Sequence, residues 1–129
     1  LGDGNKIVAM SRPRNDACDH GFMRGRWHQI NPVVGAFLGV VGNGDGALAG
    51  HVRGIYGTRR NGDKVVYGKF IDREGRFRGI LVGTYAGGNW DARWLTRAGD
   101  HGEIHGVYWP GPSLRAGGFL ARWSENSCR

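Results

Sequence analysis

The densest grouping of side chains with chemical potential in this chain is His101-Gly-Glu103-Ile-His105. Two imidazoles and a carboxylate make a reasonable ligand set for a transition metal. On a flat strand, however, alternate residues stand about 7 Å apart, so a single ion reaches all three only if the strand bends. Ile104 and Gly106 continue an apolar alternation, which puts His101, Glu103 and His105 on the opposite, solvated face. The expectation is a polar surface with no bound metal. A rim-sited metal-dependent enzyme stays open as an alternative.

Other catalytic signatures find little support. The run Gly42-Asn43-Gly44-Asp45-Gly46-Ala47 echoes a dinucleotide-binding turn. The next segment, Leu48 to Tyr56, alternates like a strand and supplies no βαβ unit, so a hairpin turn is expected. The four serines, at 11, 113, 124 and 127, include none in a G-x-S-x-G setting. No catalytic residue and no cofactor is expected.

Charge suggests a different kind of chemistry. Eighteen basic residues face eleven acidic ones, for a net charge of +7, a balance that favours polyanions or anionic surfaces. Arg24, Arg26 and Arg122 are expected on the outside of adjoining strands, where they would form a strip for phosphate, sulfate or uronate groups. An acidic polysaccharide or another polyanion is the partner this implies. Nucleic acid is disfavoured, because the rings that would stack on bases are committed to an inner face.

These groups must be positioned by strands. Glycine accounts for 25 of 129 residues, against an average of about 7%. Such a content excludes long helices, since each interior glycine costs a helix about 1 kcal/mol. Collagen is excluded as well, because the glycines keep no three-residue period. Apolar residues instead alternate with small ones at period two. The pattern runs through Met23-Gly25-Trp27, Phe37-Gly39-Val41, Leu48-Gly50-Val52-Gly54-Tyr56 and Val66-Gly68-Phe70. It continues through Phe77-Gly79-Leu81-Gly83-Tyr85, Trp90-Ala92-Trp94, Ile104-Gly106-Tyr108 and Phe119-Ala121-Trp123. These runs predict eight strands, separated by turn sequences such as Asn61-Gly62-Asp63 and Gly87-Gly88-Asn89. The fold class is therefore all-β, a single antiparallel up-and-down barrel of about eight short strands. An open meander is the competing layout.

The cysteines suggest how the barrel is sealed. A register that sets Met23 opposite Trp123 and Trp27 opposite Phe119 also brings Cys18 opposite Cys128. A disulfide there would close the seam between first and last strands and contribute ~4–5 kcal/mol in the chain-entropy model. It would also place the protein in an oxidising setting, extracellular, at the cell surface or periplasmic. Residues 1–17 are expected to form an N-terminal arm and residues 18–129 the barrel domain. No initiator methionine opens the chain, and nothing in it resembles a signal peptide or membrane-spanning segment, which reads as a mature or trimmed form.

Two faces of the barrel bear on function. Inside, a belt of small residues is flanked by Trp27, Trp90, Trp94, Trp123, Tyr56, Tyr85 and Phe70, with the four tryptophans the candidate lining of a ligand cavity. Packing alone predicts instead that rings fill the belt. Outside, Leu38, Val40, Ile80 and Val82 form an apolar face. The arm, with Ile7, Val8 and Met10, or a second subunit could cover it and build an oligomer or filament.

The segments GHVRGIYGTRRNG, YGKFIDREGRFRGILVGTY, WDARWLTRAGD and GGFLARW carry a resemblance. They look like the glycine-and-aromatic hairpin repeats of uncharacterised exported or lipoprotein-type bacterial proteins. That resemblance implies export and a β fold, and no particular activity. GDGALAG also resembles a short stretch of avidin-type barrels, without the rest of their pattern. Taken together, the chain reads as a non-enzymatic exported structural or binding module, self-associating through its outer apolar face and arm. A barrel that binds a small apolar ligand is the first alternative.

Overall fold

A computed structural model describes residues 19–126, so the arm and both cysteines lie outside the described residues. The eight strands are β1 (His20–Gln29), β2 (Val34–Asn43), β3 (Leu48–Thr58), β4 (Lys64–Asp72), β5 (Phe77–Ala86), β6 (Asn89–Thr96), β7 (His101–Pro110) and β8 (Ala116–Glu125). Each pairs antiparallel with its sequence neighbour, and β8 returns to β1 to close the barrel. Closure leaves no strand edge unpaired, which removes the template that open sheets offer for aggregation.

Short turns set this topology. At Asn43, Arg59, Asp72 and Thr96 the carbonyl accepts from a glycine amide three residues on. Those glycines, at 46, 62, 75 and 99, all have positive φ, a conformation that costs glycine nothing and other residues much. Gly87 and Gly88 turn β5 directly into β6. The two connections without such a glycine turn, 30–33 and 111–115, lie at the same end of the barrel.

The interior is packed by laying rings over glycines. A Cβ on Gly25 would sit 2.8 Å from the Phe119 ring, and one on Gly39 2.7 Å from it. Phe37 covers Gly54 and Gly68 in the same way, at 2.8 Å from each. Phe37 and Trp90 meet Phe119 edge to face, with centroids 5.9 and 5.7 Å apart. The mid-height belt is thus filled. Val52, Leu81 and Ile104 are almost fully buried beside it. Burying each such aliphatic side chain contributes about 1.5–3 kcal/mol.

Ring-on-glycine packing also corrects the expected β1–β8 register. Gly21 faces Trp123, Gly25 faces Phe119 and Trp27 faces Gly117, a slip of two residues from the expected pairing. The expected register stacked Trp27 on Phe119, large against large, whereas the observed one gives each ring a glycine. A two-residue slip keeps every side chain on its own face, so alternation alone could not detect it. The expected Cys18–Cys128 seam itself lies outside the described residues.

Leu48 and Phe77, expected inside, are 51% and 39% exposed. The ladder shifts where Val41 and Gly42 face Gly50 and Leu48, and again where Phe70 and Ile71 face Gly79 and Phe77. Each bulge inserts one residue, Ala49 or Arg78, and turns the strand start outward. Ala49 packs against the core, and Phe77 receives the Lys69 ammonium 5.9 Å from its ring centroid.

Among the described residues no helix is long and apolar enough to cross a membrane. The outer wall carries Arg24, Arg26, Arg53, Lys69, Arg93, Glu103 and Arg122 on six of the eight strands. These charges interrupt the outward apolar band that a lipid-spanning barrel requires.

Candidate functional site: an aromatic cup at one end of the barrel

The odd-numbered strands all run toward the end that carries the 30–33 and 111–115 connections. Near its close, each delivers one inward ring: Trp27 from β1, Tyr56 from β3, Tyr85 from β5 and Tyr108 from β7. These rings touch edge to face in series, with centroids 6.0 Å apart for Trp27–Tyr56, 5.6 Å for Tyr56–Tyr85 and 5.8 Å for Tyr85–Tyr108. Edge-to-face contact is the favourable geometry for aromatic quadrupoles. On β2 and β8, Gly35 and Gly117 make room for Tyr56 and Trp27. The rings therefore form a wall, with Phe37, Val66, Trp90 and Phe119 as its floor.

The wall encloses a cavity of about 220 Å³. No charged side chain lines it. Its polar groups lie toward the mouth, where the Tyr56 hydroxyl donates to Gln29 Oε1 at 2.9 Å. Gln29 Nε2 in turn donates to the Asn31 carbonyl at 2.7 Å, tying the wall to the 30–33 connection. Burial, reinforced by Tyr85, pushes the Tyr56 phenol up to about 12. Burial also raises Tyr85, a contact with the Thr58 hydroxyl opposes the rise, and Tyr108 adds to it. Both hydroxyls stay neutral across the physiological range.

Leu114 overhangs the mouth from the 111–115 connection, 73% exposed and lining the cavity. Among the described residues it is the one non-glycine with positive φ, at 63°. A left-handed leucine costs about 1–2 kcal/mol, so the connection holds it there against its own preference.

The four tryptophans expected to share a cavity divide between the two ends. Trp27 and Trp90 belong to the cup. Trp94 and Trp123 pack against each other at the opposite end, centroids 5.8 Å apart, beside a residual space of about 40 Å³. The three tyrosines of the wall are absent from the expected lining. Their signal is present in the sequence, as an aromatic on the inner face near the close of every odd strand.

The other expected groupings lie on the outer wall. His105 is committed on both nitrogens, Nδ1 to Asp91 at 2.6 Å and Nε2 to Glu103 at 3.1 Å. The hydrogen bond with Asp91, and then that with Glu103, raise its pKa. His101 instead joins Asn126 through Nδ1 at 3.0 Å. Among the described residues no three His, Cys, Asp or Glu side chains converge on a point that could hold a metal.

Arg24, Arg26 and Arg122 do lie on adjoining strands, with Arg24 opposite Leu120 and Arg122 opposite Phe22. The denser basic feature is a row across β1 to β4, in which Arg26, Leu38, Arg53 and Lys69 succeed one another in register. Of the expected outer apolar face, Leu38 and Val82 are 59% and 47% exposed, and Val40 and Ile80 are half-buried. Comparisons of the chain with protein-family models, with curated protein sequences and with solved structures find no match.

Proposed function

We propose that the barrel is a non-enzymatic binding module that holds one small, uncharged, largely apolar molecule in the aromatic cup. The observation that carries this reading is the contrast in free volume within a single interior. The belt is filled by rings, one end retains about 40 Å³, and the other retains about 220 Å³ behind a continuous aromatic wall. Concave apolar sites with a few polar groups at the rim are the usual form of a small-molecule site. An engineered protein cavity of about 150 Å³ accepts benzene, so the cup has room for a bicyclic molecule.

Among the described residues no carboxylate, imidazole, amine or thiol lines the cup and its phenols are held neutral, which supports holding rather than turnover. The charges on the outer wall support a water-facing exterior, as a carrier or receptor module would need. Self-association and polyanion binding engage that exterior and are compatible with an occupied cup.

The test is a titration of ¹⁵N-labelled protein with naphthalene, followed by amide and indole shifts. Saturable shifts confined to Trp27, Tyr56, Val66, Tyr85, Trp90 and Tyr108 are expected. Shifts centred on Trp94 and Trp123, or no saturable binding by naphthalene or its heteroatom analogues, would overturn the reading.

A further inference from the structure

Four inward tryptophans share one packing device and differ in one respect. Trp27 lies over Gly117, Trp90 over Gly106, Trp94 over Gly102 and Trp123 over Gly21, each within 2.5–2.7 Å of where a glycine Cβ would stand. Lying flat over a glycine carries the indole Nε1 across to the next backbone. Three of the four then donate to a carbonyl: Trp27 to Gly118 and Trp109 at 3.2 Å each, Trp94 to Ser124 at 3.1 Å and Trp123 to Gly42 at 3.1 Å.

Trp90 does not. Its Nε1 is buried and has no hydrogen-bond partner among the described residues, and the residue is 6% exposed. An indole N–H is a donor only, so nothing but an acceptor can satisfy it. Its ring neighbour on the floor, Phe119, has no side-chain acceptor, and Phe37 and Val66 beside it have none either. Buried donors without partners are rare in folded proteins and mark places where a group is missing.

We propose that the molecule held in the cup is a planar, uncharged bicycle bearing one hydrogen-bond acceptor, a ring nitrogen or a carbonyl oxygen, which it presents to Trp90 Nε1. This rests on the ligand-holding function proposed for the cup and goes further by naming the chemistry that is recognised. Planarity follows from the aromatic wall, since a flat ring system packs well against aromatic faces and edges. The size follows from the free volume. Neutrality follows from a cup without a charged side chain, where an ion would lose its hydration uncompensated. To engage, the indole turns its Nε1 from Gly106, beside which it stands, toward the free space of the cup, gaining the hydrogen bond it lacks. Trp90 is then the specificity residue, distinguishing a heteroaromatic or ketone from a hydrocarbon of the same shape.

The experiment measures the affinities of four bicyclic probes at pH 8: naphthalene, the isosteric quinoline, the ketone 1-tetralone and the anion 2-naphthoate. Quinoline and 1-tetralone are expected to bind about tenfold tighter than naphthalene, as a hydrogen bond rescuing a buried donor requires. The anionic 2-naphthoate is expected to bind more weakly than naphthalene. Trp90→Phe should bring quinoline and naphthalene to equal affinity, whatever the loss of indole surface does to both. In the unmodified protein, quinoline should move the Trp90 indole proton resonance downfield and naphthalene should not, a readout that stands even where the variant fails to fold. Equal binding of quinoline and naphthalene by the wild-type protein overturns the acceptor inference and leaves the cup as a hydrocarbon site. Failure of all four probes to bind overturns the cup itself, and this inference with it.

Discussion

Where β1 begins and β8 ends, Trp94 and Trp123 interlock and leave about 40 Å³. Where the odd strands end, Trp27 and three tyrosines stand in a ring around about 220 Å³. Both ends use inward aromatics opposite glycines, so composition does not distinguish them. Two features of the backbone and side chains do. Both bulges, at Ala49 and Arg78, lie toward the Trp94–Trp123 end, where the added coil draws the strands together. The indoles at that end bridge from strand to strand by donating to carbonyls, as Trp27 does at the cup, whereas the other three rings of the cup wall are tyrosines. Tyrosine cannot complete a core in that way, because its hydroxyl must reach a polar partner. The Tyr56 hydroxyl therefore meets Gln29 at the mouth, and the space beneath the rings stays open. A filled end and an open end thus follow from the bulges and from which aromatic each strand carries near its close.

The largest effect expected from this contrast comes from adding the same volume at each end. Val52 is fully buried among Met23, Val41 and the Trp94–Trp123 pair, whereas Val66 borders the cup at 7% exposure. Val52→Phe should lose about 1–3 kcal/mol in urea unfolding through overpacking. Val66→Phe should lose less than about 1 kcal/mol, because its ring enters free space, and it should abolish naphthalene binding. Equal losses at the two sites would mean that the cup is not open in solution.

Much of this architecture is legible in the residues alone. Eight runs of apolar, small, apolar identify eight strands and their inner faces, and the observed pairing joins them in order. Alternation reports which way a side chain points and nothing about its height in the barrel. For that reason it cannot separate Trp94 and Trp123 from Trp27 and Trp90. The β1–β8 register escapes it for a related reason, since parity is blind to a slip of two. Size complementarity, a ring for every glycine, carries the missing information: Trp27 with Gly117 and Trp123 with Gly21 are pairs a sequence can propose. Leu48 and Phe77 are misplaced by a strict period of two because it has no room for a bulge.

A second, intermediate effect separates the ends by pH. Three of the four tyrosines, Tyr56, Tyr85 and Tyr108, line the cup, and none lies at the Trp94–Trp123 end. Burial raises Tyr56 from 10.0 to about 12. The folded state thus keeps a proton that the unfolded chain releases near pH 10, so stability is intact below pH 10 and declines as pH rises toward 12. Ionisation followed at 295 nm should show one tyrosine titrating near pH 12, and naphthalene binding should fall in the same window. Tyr56→Phe should remove that late step. A late step that persists in this variant would assign the high pKa to another residue and detach it from the cup.

The smallest effect concerns the opposite end, where Glu125 closes β8 against Gly102 and its amide donates to the Asp19 carbonyl at 2.8 Å. Burial first, then the carboxylates of Asp100 and Asp19, raise its pKa. A carboxyl raised in the folded state favours folding in its protonated form. Its contribution is complete below the unfolded value of about 4.3 and is lost as pH rises through the folded pKa. Because the side chain is only partly buried and water still screens it, the gain on mild acidification is at most about 0.5 kcal/mol. Glu125→Gln should remove this acid-side increment and leave the alkaline decline of the cup untouched, since the two groups sit at opposite ends of the barrel. Loss of both pH effects in that single variant would mean that the ends are coupled through the belt. The filled and open halves would then have to be treated as one cooperative unit.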